Sequence, residues 1–272
     1  MKHTTMAKEI QTIKINRITD YGKSCVSASD VVIIEKPITI IIEEVGNFTV
    51  LCTPIDIKAL AIGFAFTEGI ITSIDDIIDI TNFNVTSSSI ALRVEQAMRT
   101  NKRRNLIMTS ACGMCGSRNI EKLLNDTPPC KKTLALTFSS LEKILKQLST
   151  KQIIYEKTGG SHAAGLFNAD CDIIASAEDI GRHNALDKAI GCCLLNKIPT
   201  DGCGVVLSSR ISFEMVSKAA KAGTEIIIAI SAPSSLAIEA AKKWNITLLG
   251  FTRNGRTNIY TCPERIKLGN QY

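Results

Sequence analysis

Residues 204–230 have the sequence GVVLSSRISFEMVSKAAKAGTEIIIAI, in which an apolar strand, a helical segment and a second apolar strand follow one another. The strands are predicted over Gly204 to Ser208 and Glu225 to Ile230, and the helix over Phe213 to Ala222. Short apolar strands that alternate with helices are typical of parallel pairing, with the helices covering the sheet. This stretch therefore predicts an α/β fold.

The same alternation continues on both sides of this stretch. Upstream, a strand over Cys171 to Ala177 leads into a helix over Arg182 to Leu195. Downstream, a helix over Ser235 to Trp244 leads into a strand over Ile246 to Phe251. We therefore predict that residues 121–272 form an α/β main domain.

The first part of the chain has a different pattern, with β-branched segments and a single helical one. Residues 1–100 are predicted to form a smaller, strand-rich portion, and residues 101–120 a mobile loop. The helices predicted outside the main alternation cover Asp56 to Glu68 and Ser139 to Ser149, and the strands cover Lys8 to Ile18, Val31 to Ile42, Phe48 to Cys52, Ile77 to Val85, Ser89 to Glu95 and Gln152 to Glu156.

Polar residues follow each strand of the α/β region. In a parallel sheet the carboxyl ends of the strands meet at one edge, where ligands bind next to helix N-termini. Guanidinium groups match phosphate oxygens, so this edge is predicted to bind a nucleotide or another polyphosphate. The candidate residues are Gly160, His162, Arg182, His183, Ser209, Arg210, Ser231, Thr252, Arg253, Asn254, Gly255 and Arg256. The plainer interpretation is that the hydroxyl residues are helix caps and the arginines solvated charges.

Cys112 and Cys115 form a CxxC pair within SACGMCG at 110–116, after a basic run at 102–104. The small flanking residues leave the sulfurs accessible, and nearby cations lower the pKa of a thiol. We expect the other eight cysteines to be small hydrophobic side chains, mostly buried.

Several kinds of site contain a CxxC pair. A structural zinc site needs four ligands, but the sequence has no second pair, so no metal site is predicted. A zinc deaminase needs an upstream histidine in a fixed motif, and only His3 precedes Cys112. A thioredoxin-type pair normally follows a strand in a compact βαβ unit, whereas here a strand-rich portion of about a hundred residues and a basic run precede the pair. Sulfur transfer through a persulfide is the preferred interpretation, and a redox disulfide remains an alternative.

Composition excludes several classes of protein. The 272 residues carry a net charge of +6 and only 5% aromatic residues, which argues against nucleic-acid binding through stacked bases. The longest apolar runs, such as Ile38 to Ile42, are too short to span a bilayer. The polar first twenty residues have no apolar region typical of a signal peptide. A cytoplasmic protein without membrane contact is expected.

With these motifs identified, the chain resembles the formate dehydrogenase accessory sulfurtransferases, the FdhD/NarQ family. The resemblance covers residues from about 50 to 262, and its motifs follow one another in the same order as in the family. The matching motifs are GFAFTEGI at 63–70, SACGMCG at 110–116, TGGSH at 158–162, EDIGRHNALDK at 178–188, SSR at 208–210, SAPSSL at 231–236 and FTRNGRTNIY at 251–260.

The resemblance implies a function. Members of the family accept sulfur from a cysteine desulfurase as a cysteine persulfide and pass it to the molybdenum bis(molybdopterin guanine dinucleotide) cofactor, for insertion into apo formate dehydrogenase. The persulfide cysteine corresponds to Cys112 and the second thiol to Cys115. The cofactor-binding stretch corresponds to Phe251–Arg256, so a guanine nucleotide should mimic part of the cofactor.

The resemblance also implies a structure. The main domain should be a three-layer α/β/α unit similar to cytidine deaminase, and the protein should be a homodimer. A non-catalytic chaperone that binds the same cofactor and presents it to the apo-enzyme remains an alternative, because such a protein needs the polar crevice but not Cys112.

Overall fold

The computed structural model describes residues 9–81, 86–95, 106–108 and 120–267. The chain begins with strands β1 (Ile10–Thr19) and β2 (Ser24–Ile33), which form a separate two-stranded antiparallel ribbon. Its base is closed by the backbone bond from Ile34 to Glu9. The single strand predicted over Val31 to Ile42 is therefore wrong, because the chain changes pairing partner after Ile33.

The next strands form a five-stranded sheet in the order β5-β6-β3-β4-β7. The side chains of Ile38, Ile40 and Ile42 alternate into a core beneath helix α1. The bounds are β3 (Lys36–Ile42), β4 (Gly46–Cys52), α1 (Ile57–Thr67), β5 (Ile77–Ile80), β6 (Ser89–Val94) and β7 (Leu106–Met108). This sheet and α1 account for the predicted strand-rich portion.

A connecting region follows, with helices α2 (Ile120–Asp126), α3 (Phe138–Thr150) and α4 (Ile153–Thr158). A short strand β8 (Leu136–Thr137) pairs with the last strand of the chain, β15 (Ile266–Lys267). The strand predicted over Gln152 to Glu156 is wrong, because that segment forms α4. The carboxylate of Glu178 accepts the backbone N–H groups of Ile154 and Tyr155, which lie in the first turn of this helix.

The main sheet has six strands in the order β10-β9-β11-β12-β13-β14. Their bounds are β9 (His162–Phe167), β10 (Ile173–Asp179), β11 (Gly204–Leu207), β12 (Ile226–Ala229), β13 (Thr247–Arg253) and β14 (Arg256–Thr261). Strands β11, β12 and β13 are parallel, as predicted. Two further strands, which the sequence did not predict, make the sheet mixed: β9 is antiparallel to both of its neighbours and β14 is antiparallel to β13.

Helices cover both faces of this sheet. On one face, α5 (Arg182–Leu195), α6 (Phe213–Lys221) and α7 (Ser235–Lys243) enclose a core that includes the fully buried Trp244. On the other face, α3 packs Leu141, Ile144 and Leu148 against the sheet. The predicted α/β class is confirmed, and the main sheet lies in the middle of three layers.

The two parts of the molecule meet where α1 crosses α5 at Gly63 and Gly191. A Cβ atom at Gly63 would lie 1.8 Å from the carbonyl oxygen of Asp187, and one at Gly191 would lie 1.9 Å from that of Ala59. Only glycine allows the two helix backbones to approach this closely. The crossing packs α1, which covers the N-terminal sheet, against the middle of α5.

Candidate functional site

The predicted polar segments meet at one edge of the main sheet. Because β9 is antiparallel to both neighbours, its first residue, His162, pairs with Asp179 at the end of β10. The Ser208 hydroxyl accepts the backbone N–H of Ala163 at 2.8 Å, which joins the end of β11 to the same point. An antiparallel strand thus contributes its N-terminal end to an edge formed otherwise by carboxyl ends.

Three cationic or titratable side chains share this edge. Burial, and then the charges of Arg182 and Arg210, lower the pKa of His162. Burial and the charge of Arg210 also lower the pKa of Arg182. The Arg210 charge opposes that of Arg182, and Glu214 offsets it only in part, since the pKa of Arg182 stays lowered. Such a concentration of positive charge is the electrostatic setting of an anion site.

His183, in the first turn of α5, is buried and bonded through one ring nitrogen. Its Nε2 lies 3.2 Å from the Glu214 carboxylate and 3.4 Å from the Ser212 hydroxyl. This contact with His183 is the main cause of a lowered pKa at Glu214. The other ring nitrogen, Nδ1, and Arg182 Nε are closed to solvent and have no hydrogen-bond partner among the described residues.

Three of the predicted candidates have mainly structural contacts. The Ser209 side chain is buried and donates to the carbonyl oxygen of Arg210 at 3.1 Å. The carbonyl oxygen of Ser231 accepts the N–H of Phe251, which joins the ends of β12 and β13. Gly160 lies against the ribbon, where an added Cβ would come within 2.9 Å of Ile33.

The candidates from Phe251 to Arg256 form the β13–β14 hairpin instead of a strand-to-loop junction. Asn254 and Gly255 both have positive φ, 52° and 71°, as a tight hairpin turn requires. The Thr252 side chain is buried against Thr257, with 2.8 Å between the hydroxyl oxygens. The exposed residues are Arg253, Asn254, Gly255 and Arg256. The hairpin thus presents two arginines to solvent.

Most side chains of the EDIGRHNALDK segment at 178–188 are buried. Asp179 is fully buried and accepts from Lys188 at 2.6 Å, from the Thr53 backbone at 3.0 Å and from Asn184 at 3.0 Å. The Asn184 amide also donates to the carbonyl oxygen of Leu51 at 2.8 Å. These bonds join the end of β4 to the first turn of α5, so they fix the position of Arg182.

A second buried charge cluster forms around Asp187, the residue before Lys188 in α5. Lys218 donates to Asp187 at 2.9 Å, to Thr67 at 2.8 Å and to Glu68 at 3.2 Å. Burial opposes the charge of Lys218, but the carboxylates of Asp187 and Glu68 outweigh it and hold its pKa above the ordinary value. The cluster joins α1, α5 and α6 behind the candidate site.

Most described cysteines have chemically inert surroundings. Burial raises the pKa of Cys52 and Cys193 to about 12 and that of Cys130 to about 11. Since the thiolate is the reactive species, these three are poor nucleophiles at neutral pH. Cys25, on the ribbon, is exposed.

Cys112 and Cys115 lie outside the described residues, but both flanks of their segment are described. On the N-terminal side, Met108 of β7 pairs with Val50 of β4, close to the β4–α5 bonds. On the C-terminal side, Leu123 of α2 lines a cavity of about 130 Å³ together with Glu214. The described elements on the two sides of this segment thus contact residues next to, or among, those bonded to the first turn of α5, since Leu51 accepts from Asn184 and Glu214 from His183.

Two features are absent from the described residues. Within them, no group of three or more histidine, cysteine, aspartate or glutamate side chains is arranged to hold a metal ion. None of the described helices is both long and apolar enough to cross a membrane.

Comparison with known proteins gives a family profile, that of the FdhD/NarQ family, which matches residues 33–267. The chain belongs to the FdhD/NarQ family. The resemblance identified from the motifs is therefore confirmed, over more of the chain than those motifs span.

Two FdhD/NarQ relatives are named sulfur carrier protein FdhD, one from Bordetella parapertussis and one from Bordetella bronchiseptica. Each is 38% identical over 244 residues, which cover 88% of this chain and 88% of the relative. The chain also resembles the crystal structure of a protein described as a formate dehydrogenase accessory protein, from Desulfotalea psychrophila. That match has a TM-score of 0.76 and 25% identity, and covers 96% of this chain and all of the other.

For this FdhD/NarQ chain, sequence reasoning missed Glu214 and the buried pair of Asp179 and Lys188. Glu214 follows the helix cap Ser212 by two residues, where a carboxylate is common because it complements the helix dipole. Its contact with His183 spans 31 residues, so no local pattern indicated it. The tight turn at Asn254–Gly255 did have a signal, because Asn-Gly between apolar strands is typical of a hairpin.

Proposed function

We propose that this protein is a sulfurtransferase that carries persulfide sulfur on Cys112 and delivers it to a molybdenum cofactor for formate dehydrogenase. Membership of the FdhD/NarQ family over residues 33–267, with SACGMCG at 110–116, is the observation that carries the proposal. Relatives are named as sulfur carriers and a structural neighbour as a formate dehydrogenase accessory protein, which supports sulfur carriage and a role for formate dehydrogenase.

The loading step is a thiol exchange with a cysteine desulfurase. The Cys112 thiolate attacks the outer sulfur of the desulfurase persulfide, so a new S–S bond forms on Cys112. The S–S bond of the desulfurase breaks, and its cysteine leaves as a thiolate. One sulfur atom moves without net oxidation or reduction. Cys115 is the second thiol, able to receive or release that sulfur.

The described thiols favour the CxxC pair as the carrier. Burial keeps Cys52, Cys130 and Cys193 protonated at neutral pH, so they are poorly suited to this attack. Cys25 is exposed and accessible to a desulfurase, so a test of sulfur carriage needs a control at this residue. The eight described cysteines are free thiols, which supports a reducing compartment, the cytoplasm, as the place of the reaction.

The crevice at the sheet edge is proposed to bind the cargo, molybdenum bis(molybdopterin guanine dinucleotide). The cargo carries several phosphates, which suit the mutually repelling Arg182 and Arg210. On the described sides of the Cys112 segment, Met108 pairs with Val50 of β4, and Leu123 shares a cavity with Glu214, the partner of His183. A homodimer, the desulfurase and apo formate dehydrogenase complete the proposed set of partners.

Intact-protein mass spectrometry tests the carrier role. After incubation with a cysteine desulfurase and cysteine, we expect a reducible gain of about 32 Da, one sulfur atom, in the wild type. The gain should persist in Cys25→Ala and disappear in Cys112→Ala, with GDP binding retained in both. If the mass gain disappeared in Cys25→Ala but persisted in Cys112→Ala, Cys25 on the ribbon would be the sulfur carrier.

Two other outcomes would change the proposal. Absence of a gain in the wild type, while the desulfurase itself is charged, would contradict sulfur carriage and favour the cofactor chaperone. Equal loss of activity in Cys112→Ser and Cys115→Ser, with a stable disulfide on mild oxidation, would favour a redox protein.

A further inference from the structure

Two neighbouring residues at the start of α5 each have a buried polar atom without a partner. His183 is only 5% exposed, and its Nδ1 has no hydrogen-bond partner within the described residues. Arg182 Nε is likewise a buried atom without a partner among those residues. Buried polar atoms in proteins are nearly always paired. Both atoms therefore point to a hydrogen-bonding group that is not one of the described residues.

The opposite edge of the His183 ring is held firmly. Its Nε2 lies 3.2 Å from a Glu214 carboxylate oxygen, and the Ser212 hydroxyl donates to that same oxygen at 3.2 Å. An ionised carboxylate only accepts hydrogen bonds, so Nε2 must carry the proton and donate it. The hydrogen bond from His183 also lowers the pKa of Glu214, which keeps the carboxylate ionised at neutral pH.

We propose that Glu214 is a positioning residue for the ligand of this crevice: it binds Nε2 of His183 and thereby commits Nδ1 to the ligand, beside Arg182. This inference rests on the proposed function, with a guanine nucleotide as the ligand class. Arg182 and Arg210 attract its phosphates, while Nδ1 of His183, which carries no proton in the neutral ring, accepts from a hydroxyl or N–H group of the nucleotide.

Glu214 could act on the ligand in two ways, by positioning His183 or only as a nearby negative charge, and the two predict opposite effects on anion binding. Glu214 on α6 faces Arg182 on α5, and the charges of Arg182 and Arg210 act on His162. If Glu214 were only a nearby negative charge, its removal would strengthen the binding of an anion. If it positions His183, its removal weakens binding.

The experiment measures GDP affinity by isothermal titration calorimetry. Glu214→Ala should bind GDP about 3- to 10-fold more weakly, the loss of one hydrogen bond. Glu214→Gln should stay near the wild type, because its amide oxygen still accepts from Nε2. The control Glu239→Ala removes an exposed carboxylate from α7 and should change nothing. Equal or tighter binding by Glu214→Ala would overturn the inference.

A second pair of variants identifies which ring nitrogen matters. The amide of asparagine takes the position of Nδ1, and that of glutamine the position of Nε2. His183→Asn should therefore retain more GDP affinity than His183→Gln. The reverse order would mean that Nδ1 does not contact the ligand, and would contradict the inference even if Glu214→Ala failed to fold.

A spectroscopic measurement separates this inference from the proposed function. In ¹⁵N-labelled wild type without nucleotide, the neutral His183 ring should carry its proton on Nε2, and the preference should weaken in Glu214→Ala. A proton on Nδ1 instead would refute the positioning role. Failure of the wild type to bind GDP, with the Nε2 proton in place, would count against the proposed ligand and not against the positioning.

Discussion

Lys188 Nζ lies 2.6 Å from Asp179 Oδ2, and neither side chain is exposed to solvent. Lys188 also donates to the carbonyl oxygen of Thr53 at 2.9 Å, and Asp179 accepts the Thr53 N–H at 3.0 Å. The pair thus joins the end of β4 to the turn that carries Arg182. It links the N-terminal sheet to the candidate site through direct hydrogen bonds.

Removing one member of this pair should destabilise the protein severely. We expect Lys188→Met to lower the free energy of unfolding by about 3–5 kcal/mol, because it leaves the Asp179 carboxylate buried and uncompensated. Urea denaturation measures this change. Lys197→Met is the matched control, since its pair with Asp75 is exposed and should contribute less than about 1 kcal/mol. A similar small effect of both substitutions would contradict the structural role.

The helix crossing at Gly63 and Gly191 makes a second prediction. Gly191→Ala places a Cβ 1.9 Å from the carbonyl oxygen of Ala59, so α1 and α5 must separate. We expect a loss of about 3 kcal/mol or more in unfolding free energy. Gly159→Ala is the control: its Cβ meets no atom within 4 Å, and its positive φ alone should cost about 1 kcal/mol. Equal losses would show that backbone conformation, not helix contact, decides the effect.

The strands and helices that the sequence predicted well have a regular apolar pattern. Strands β11 and β12 and helices α5 to α7 lie close to their predicted bounds, because burial of apolar residues decides their structure. Strand β9 was missed, since Ala163, Ala164 and Gly165 give no β-branched signal. The segments after β10, β11, β12 and β13 converge at one sheet edge because these strands run in the same direction, whereas His162 reaches it because β9 runs the opposite way.

The failures have long-range causes. Ile153, Ile154 and Tyr155 have strand propensity, but Glu178, more than twenty residues away, accepts the N–H groups of the first turn and stabilises α4. The contact of His183 with Glu214 likewise joins two elements that are distant in sequence. Local sequence patterns carry no information on contacts between residues so far apart in sequence. The sequence therefore predicted the candidate site residues but not Glu178 and Glu214, which support them.

The contact between Glu178 and α4 can be tested directly. The carboxylate of Glu178 accepts from Ile154 and Tyr155 backbone N–H groups and from the Ser161 hydroxyl. In Glu178→Gln one carboxylate oxygen is replaced by an amide donor, which should cost about 1.5–3 kcal/mol of unfolding free energy. Hydrogen exchange should show faster exchange at Ile154 or Tyr155. Glu156→Gln, an exposed change on the same helix, should leave both rates unaltered.

The electrostatics of the crevice predict how His162 titrates. Burial and the charges of Arg182 and Arg210 lower its pKa from the ordinary value of 6.5. Arg210→Gln removes one of these charges, so the pKa of His162 should rise toward 6.5, as an NMR pH titration of the ring would show. Arg253→Gln, on the exposed hairpin turn, is the control of equal charge change. An unchanged pKa in Arg210→Gln would place Arg210 too far away to share a ligand with His162.

The same shift fixes the pH dependence of ligand binding. A bound anion opposes the charges of Arg182 and Arg210, so it raises the pKa of His162 and favours its protonated form. Binding is therefore linked to proton uptake, and GDP affinity should increase as the pH falls through the pKa of His162, below 6.5. Calorimetry between pH 5 and pH 8 measures the slope, which should flatten in His162→Gln. The terminal phosphate of GDP also titrates in this range, and does so equally in both proteins. The same pH dependence in the wild type and in His162→Gln would therefore contradict the link between binding and His162.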